Sequence, residues 1–332
     1  MPDITASPAV DVAIGLFFLF VLLSLICSTI NEMIAGVLSW RARFLEEGIR
    51  SMLAGSADLS SVDGLVKQLA AHPLIQGRVA TPSEGEPKGL RGRLSRLRQK
   101  VAKPRVFPSY LNNRTFALTF LDTIAPPELG SDRDVLARAR TYVEGLDQDS
   151  SIRRVLTSYL DKADGNVDRF RASVESWYDL TMDRVSGWYK RRTQVALILI
   201  ATIATLLTNA DSFQIGKALW NDDAVRASVV AQAQRSVEQG QAQPDVDTGV
   251  SESAETLSEQ VADVSALELP LGWSTDPDDP RWFDDWQGAV GKALGLLATI
   301  LALTLGAPFW FDLLGRVSRI RTTGKPEREG AV

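Results

Sequence analysis

From Asn166 to Thr208 the chain reads as one uninterrupted helix, and this stretch limits what the rest can become. It opens on a polar segment rich in Arg, Asp and Trp, and passes through the basic cluster Lys190, Arg191 and Arg192. It then continues, with no Pro, into the apolar run VALILIATIATLL. At a rise of about 1.5 Å per residue such a helix is roughly 60 Å long, twice the thickness of a hydrocarbon core. One end must stand in water while the other crosses a membrane.

The overall make-up, 45% hydrophobic and 23% charged, hides this because the apolar residues are concentrated in three runs. The first is Val12 to Ile30, the second Val195 to Leu207, and the third Ala289 to Phe311. Runs one and three reach the roughly 20 residues that a spanning helix needs. The second is shorter, but Trp188 and Tyr189 flank it at one end and Thr208 to Phe213 at the other, and tilt can absorb the mismatch. The first run follows an acidic leader (Asp3, Asp11) without Lys or Arg and is too long for a signal-peptide core, so it is expected to stay as an anchor. A single Cys (Cys27) and a single His (His72) leave no intrachain disulfide and no Cys/His zinc site.

Charge orients the spans. Residues 41–192 carry 26 basic and 19 acidic side chains, residues 193–287 carry 4 and 16, and residues 288–332 carry 6 and 3. Basic residues also border one end of each run: Arg41 and Arg43 after the first, Lys190, Arg191 and Arg192 before the second, Arg316, Arg319 and Arg321 after the third. Lys and Arg are enriched in cytoplasmic flanks. The expected arrangement is therefore three passes, N-terminus outside, with residues 41–192 and the C-terminal tail in the cytoplasm. The divisions are 1–40 (tail and span one), 41–187 (helical cytoplasmic domain), 188–210 (span two), 211–287 (acidic outer segment), 288–314 (span three) and 315–332 (basic tail).

Helical periodicity runs on past span one, with Ile34, Val37, Leu38, Phe44, Leu45, Ile49 and Leu53 on one stripe. Asn31 and Glu32 fall near its inner end. An ionisable residue within a span marks a functional candidate, against the plainer reading that Glu32 is wetted or paired with an Arg. Residues 58–71 form a short amphipathic helix. Between Lys88 and Arg105 eight basic residues occur with no acidic one, and Leu90, Leu94, Leu97 and Val101 repeat at spacings of four, three and four. This is the pattern of a basic amphipathic helix on an anionic leaflet, with Arg91, Arg93, Arg96, Arg98, Lys100, Lys103 and Arg105 meeting lipid headgroups. The absence of interleaved aromatics disfavours nucleic acid; a solvated loop is the other reading.

Beyond Pro108, three further helices are expected, over SYLNNRTFALTFLDTI, SDRDVLARARTYVEGL and SSIRRVLTSYLDKA, with Asn166 capping the long helix. Phe170, Val174, Trp177, Leu180, Thr181 and Val185 should face them. In the outer segment, Phe213, Ile215, Leu219 and Trp220 mark a short helix, residues 240–253 have the composition of disorder, and Leu257, Val261, Val264 and Leu267 mark a helix that docks back. Span three carries a small-residue face, Gly291, Gly295, Ala298, Ala302 and Gly306, fit for close helix packing against another span or a second copy of the chain. Pro308 should bend its inner end, and Phe309, Trp310 and Phe311 should form an interfacial belt.

Motifs for chemistry are lacking. GAVGKA at Gly288 fails as a phosphate loop on spacing, the NRT sequon at Asn113 is on the cytoplasmic side, His72 has no placed nucleophile, and the Asp278/Asp279 and Asp284/Asp285 pairs lack calcium-loop spacing. No cofactor is expected, and an enzyme is the least favoured class.

At MDRVSGWYKRRTQ (Met182 to Gln194), with SYLNNRTFALTFLD upstream and LGAPFWFDLL (Leu305 to Leu314) downstream, the chain resembles a group of hypothetical bacterial three-pass integral membrane proteins. The resemblance covers the spans and the cytoplasmic domain and is weakest in the acidic segment. It implies a bacterial inner-membrane location and no particular activity. The fold class expected is an all-α integral membrane protein with a helical cytoplasmic domain and a partly disordered outer segment. The leading functional reading is a non-enzymatic scaffold that recruits a cytoplasmic protein at the inner leaflet. The alternatives are a homo-oligomeric channel or transport component, and a sensor coupling the outer segment to the cytoplasmic helices.

Overall fold

A computed structural model describes residues 7–54, 59–76, 107–126, 133–238, 250–267, 269–274, 279 and 285–323. All regular structure among them is helical. The helices are α1 (Pro8–Val37), α2 (Trp40–Ala54), α3 (Leu59–Ala71), α4 (Pro73–Gln76), α5 (Asn113–Ile124), α6 (Arg133–Glu144), α7 (Ser151–Ala163), α8 (Val167–Thr208), α9 (Ser212–Asn221), α10 (Asp223–Glu238), α11 (Val250–Ser265), α12 (Trp286–Leu305) and α13 (Ala307–Thr323). Of these, α1, α8 and α12 are long and apolar enough to cross a membrane. The chain forms two units, Ala35–Arg192 and a second made of Met1–Ile34 with Thr193–Val332.

The Ala35–Arg192 unit is a helical domain with a core of its own. Its helices start where the sequence supplies caps: Asn112 accepts from the Thr115 amide at 2.7 Å, Ser150 from Arg153 at 3.2 Å, and Asn166 from Arg169 at 3.1 Å. Phe107, Phe116, Phe120 and Phe170 are fully buried at its centre. The Phe116 ring stacks on Tyr178 at 4.6 Å, and the Tyr178 hydroxyl donates to the Leu111 carbonyl at 2.6 Å, so the buried phenol keeps a partner. On α8, Phe170, Val174, Thr181 and Val185 are buried as the stripe requires, whereas Leu180 is 64% exposed. Residue 180 follows the buried Tyr178 by only two positions, which turns it to the opposite side of a helix of 3.6 residues per turn.

In the other unit, α1 is the central element. Its apolar window is 61% buried, against 17% for α8 and 28% for α12. Phe18, Leu19, Val21, Leu22, Leu23, Leu25 and Cys27 join one core with Ile200 and Ala201 of α8, Ile215 and Leu219 of α9, Val229, Val230 and Ala233 of α10, Val264 of α11, Ala302 and Leu303 of α12, and Trp310 and Leu314 of α13. The outward sides of the other two candidate spans stay apolar: Val195, Ile198, Leu199, Ile203, Leu206 and Leu207 on α8, and Val290, Leu294, Leu297, Leu301 and Leu305 on α12 are exposed. Exposed apolar faces of this length are what lipid solvates and water does not.

Four sequence expectations change. The periodic stripe beyond span one is not one helix: α1 stops at Val37, Ser39 takes φ 53°, and α2 starts afresh at Trp40. Span three ends at Leu305, and its bend lies at Gly306 (φ 84°) rather than at Pro308, which sits in the first turn of α13, where a missing N–H is harmless. Trp310 is no interfacial anchor, being 8% exposed, packed against Phe17 and Phe20 and donating to the Ala302 carbonyl at 2.6 Å. The helix expected to dock back does so, with Val264 and Leu267 in the core that α9, α10 and α11 share with α1. Of the stretch expected to be unstructured, residues 240–249 lie outside the described residues and 250–253 are the first turn of α11.

Candidate functional site

The elbow between α8 and α9 sets the position of the acidic segment. Asp211, 2% exposed, caps α9 by accepting from the amides of Phe213 (2.9 Å) and Gln214 (3.3 Å). The buried Thr299 hydroxyl lies 2.6 Å from the Ala210 carbonyl and 2.7 Å from Ser212 Oγ. With one proton to give, Thr299 donates to the shorter contact and accepts from Ser212. Asn209, at φ 47°, donates to the Gly272 carbonyl at 3.1 Å, and the Trp273 indole donates to the Leu206 carbonyl at 2.7 Å. Lys292, buried in α12, places its ammonium 4.8 Å from the Trp273 ring. At the far end of α9, Arg226 of α10 donates to the Leu219 and Trp220 carbonyls at 2.8 and 3.0 Å, satisfying the last turn.

With α9 held, α10 follows α1: a Cβ on Gly15 would meet Leu219 at 2.9 Å and Val229 at 3.4 Å. Between α1, α10, α11 and α13 a cleft of about 360 Å³ remains. Phe18, Val21, Leu22 and Leu25, at helical spacings of three, one and three, form one wall with Phe311 and Leu314 of α13. The other wall is polar: Gln232, Arg235 and Ser236 of α10 with Thr256, Glu259, Gln260 and Asp263 of α11. Thr29 donates to Gln260 Oε1 at 3.1 Å, a buried contact that ties α11 to α1. Arg235, Glu259 and Asp263 form no ion pair with another described residue. The cleft thus offers an apolar trough with a charged rim.

The basic residues bordering the spans have several fates. Arg192 lies over the rings of Trp40 (5.3 Å) and Phe44 (5.8 Å), Arg41 donates to the Tyr189 hydroxyl at 3.4 Å, and Phe44 meets Tyr189 edge-on at 5.8 Å. This cluster fastens the start of α2 to α8. Arg43, Lys190 and Arg191 are exposed. Arg316 pairs with Asp312 at 2.6 Å, and Arg319 donates to the Gly315 carbonyl at 3.1 Å. The residues expected to meet lipid headgroups, Arg91, Arg93, Arg96, Arg98, Lys100, Lys103 and Arg105, lie outside the described residues.

The small-residue face of span three divides. Gly295 is in contact, but with Asp211 of the elbow rather than with another candidate span: a Cβ there would overlap Asp211 Oδ1. Ala302 is buried, Ala298 half-buried, Gly306 forms the bend, and Gly291 has open space around it. Asn31 is buried, and its Oδ1 has no hydrogen-bond partner among the described residues; Glu32 is half-buried and partnered. His72 lies 3.5 Å from Asp122, Asn113 donates to Asp179 at 2.8 Å, and Asp285 caps α12. His72, Asn113 and Asp285 therefore have structural tasks. Among the described residues, no three His, Cys, Asp or Glu side chains converge as a metal site would need.

Sequence reasoning passed over Asp211, Thr299, Arg235, Glu259 and Asp263. Asp211 carried a signal, an N-cap residue before SFQIGKALW. The rim residues carried none, because single charges in an acidic stretch read as solvated until two helices bring them together. No protein-family model, curated protein or solved structure matches the chain.

Proposed function

We propose that this protein is a non-enzymatic scaffold of a bacterial inner membrane, anchored by three passes and presenting its Ala35–Arg192 unit to a protein partner in the cytoplasm. The observation that carries the reading is α8: its first half supplies Phe170, Val174 and Tyr178 to the core of one unit, and its last turns expose only apolar side chains to their surroundings. One helix therefore serves as both a core element and a span. Orientation rests on charge: Lys190, Arg191 and Arg192 precede the apolar part of α8, and Arg316 and Arg319 follow span three. The inner leaflet is the expected contact of residues 88–105, and a second copy of the chain is a further expected contact.

The test has two parts. Charge puts residue 240 outside, whereas α10 and α11 share one core with α13 along α1, so reporter fusions decide: those after residue 150 and after residue 240 should be active in the cytosol and in the periplasm, respectively, and cytosolic activity of the second overturns the topology. Tagged full-length protein, purified in mild detergent from cross-linked cells, should bring down a defined stoichiometric partner and show no conductance in a planar bilayer. Ion currents without a co-purifying partner would replace the scaffold with a channel.

A further inference from the structure

The cleft of the span-bearing unit points to a ligand, and we propose that it holds one acyl chain of a phosphoethanolamine-headed lipid. Its volume of about 360 Å³, at roughly 30 Å³ for each methylene- or water-sized group, accommodates about a dozen such groups. That is one chain and not two. The apolar wall, with Phe18, Leu22 and Leu25 on successive turns of α1, runs along the helix as an extended chain would.

The rim selects the headgroup. Glu259 and Asp263 stand four apart on α11, where like charges repel, and neither has a cation among the described residues. Arg235 faces the same cleft from α10. One guanidinium with two carboxylates complements a phosphate joined to a primary ammonium: the phosphate meets Arg235, and the ammonium meets the pair on α11. A glycerol headgroup brings no cation to those carboxylates. A choline headgroup brings one that cannot donate a hydrogen bond.

The full chain, purified in maltoside detergent, is mixed with equal amounts of lysophosphatidylethanolamine, lysophosphatidylcholine and lysophosphatidylglycerol of one chain length, and adducts are counted by native mass spectrometry. The ethanolamine lipid should exceed each of the others by roughly fivefold, the size expected of two exposed ionic contacts. The double variant Glu259→Gln with Asp263→Asn should erase that preference, and Arg235→Gln should reduce all three adducts. These rim positions are exposed, so the variants should keep the parent melting temperature, which is measured alongside. Diacyl phosphatidylethanolamine in nanodiscs distinguishes a bilayer lipid from a free single-chain one. Equal adducts for all headgroups, or a preference unchanged in the double variant, overturns the proposal. A Leu25→Trp chain that melts like the parent yet binds as much lipid also overturns it, because the trough would then not be the site.

Discussion

At Gly295 the backbone of α12 touches a carboxylate that is itself fixed by two amides. A methyl group there must move Asp211 or the helix. Gly295→Ala is therefore expected to destabilise by about 1–3 kcal/mol from overpacking, with about 1 kcal/mol more if the cap is broken. Gly291→Ala, four residues away in open space, should be neutral or stabilise by about 0.5–1 kcal/mol through helix propensity. Melting of the detergent-purified variants separates the two, and equal effects would mean that α9 does not rest on α12. Both glycines belong to one sequence pattern. Periodicity showed that they share a face, and nothing local showed which of them would meet a buried acid contributed from 84 positions earlier.

Among the elements, α8 was the most legible, because 42 residues without Pro, an Asn cap and a change from amphipathic to wholly apolar character leave few alternatives. The breaks were less so. Ser39 in the left-handed region and the bend at Gly306 arise where α2 and α13 must leave their predecessors to pack, and such turns are set by tertiary contacts that periodicity does not register. Pro308 drew attention as the stronger local breaker, yet Pro fits the first turn of a helix. The cleft was invisible for the same reason: its two walls come from residues some 200 apart. Continuity of α8 can be tested at Gly187, which has open space around it. Gly187→Ala should stabilise by about 0.5–1 kcal/mol; Gly187→Pro should cost about 3 kcal/mol and remove amide-exchange protection around residues 183–191. If protection there is low in the parent protein, α8 is two helices.

For the molecule as a whole, partly buried phenols of the Ala35–Arg192 unit make stability depend on alkaline pH. Burial pushes the phenols of Tyr142 and Tyr159 above their usual range. A raised folded-state value means that the folded form holds the proton more tightly. Stability is therefore complete below the unfolded pKa of about 10 and falls as pH rises through the folded values. Near-ultraviolet circular dichroism should show tertiary loosening as pH rises past about 10, and Tyr142→Phe should move its onset to higher pH. Loosening at pH 8 would point to other groups.

The central place of α1 also bears on how the chain is made. It is translated well before the helices that enclose it, from α9 to α13. Until Leu314 has emerged, Phe18, Leu22 and Leu25 lack their neighbours and must be covered by lipid or by an insertion factor. Biogenesis of this protein therefore includes a long interval in which its most apolar helix waits, and nascent chains arrested before residue 300 should be the ones that quality-control proteases remove.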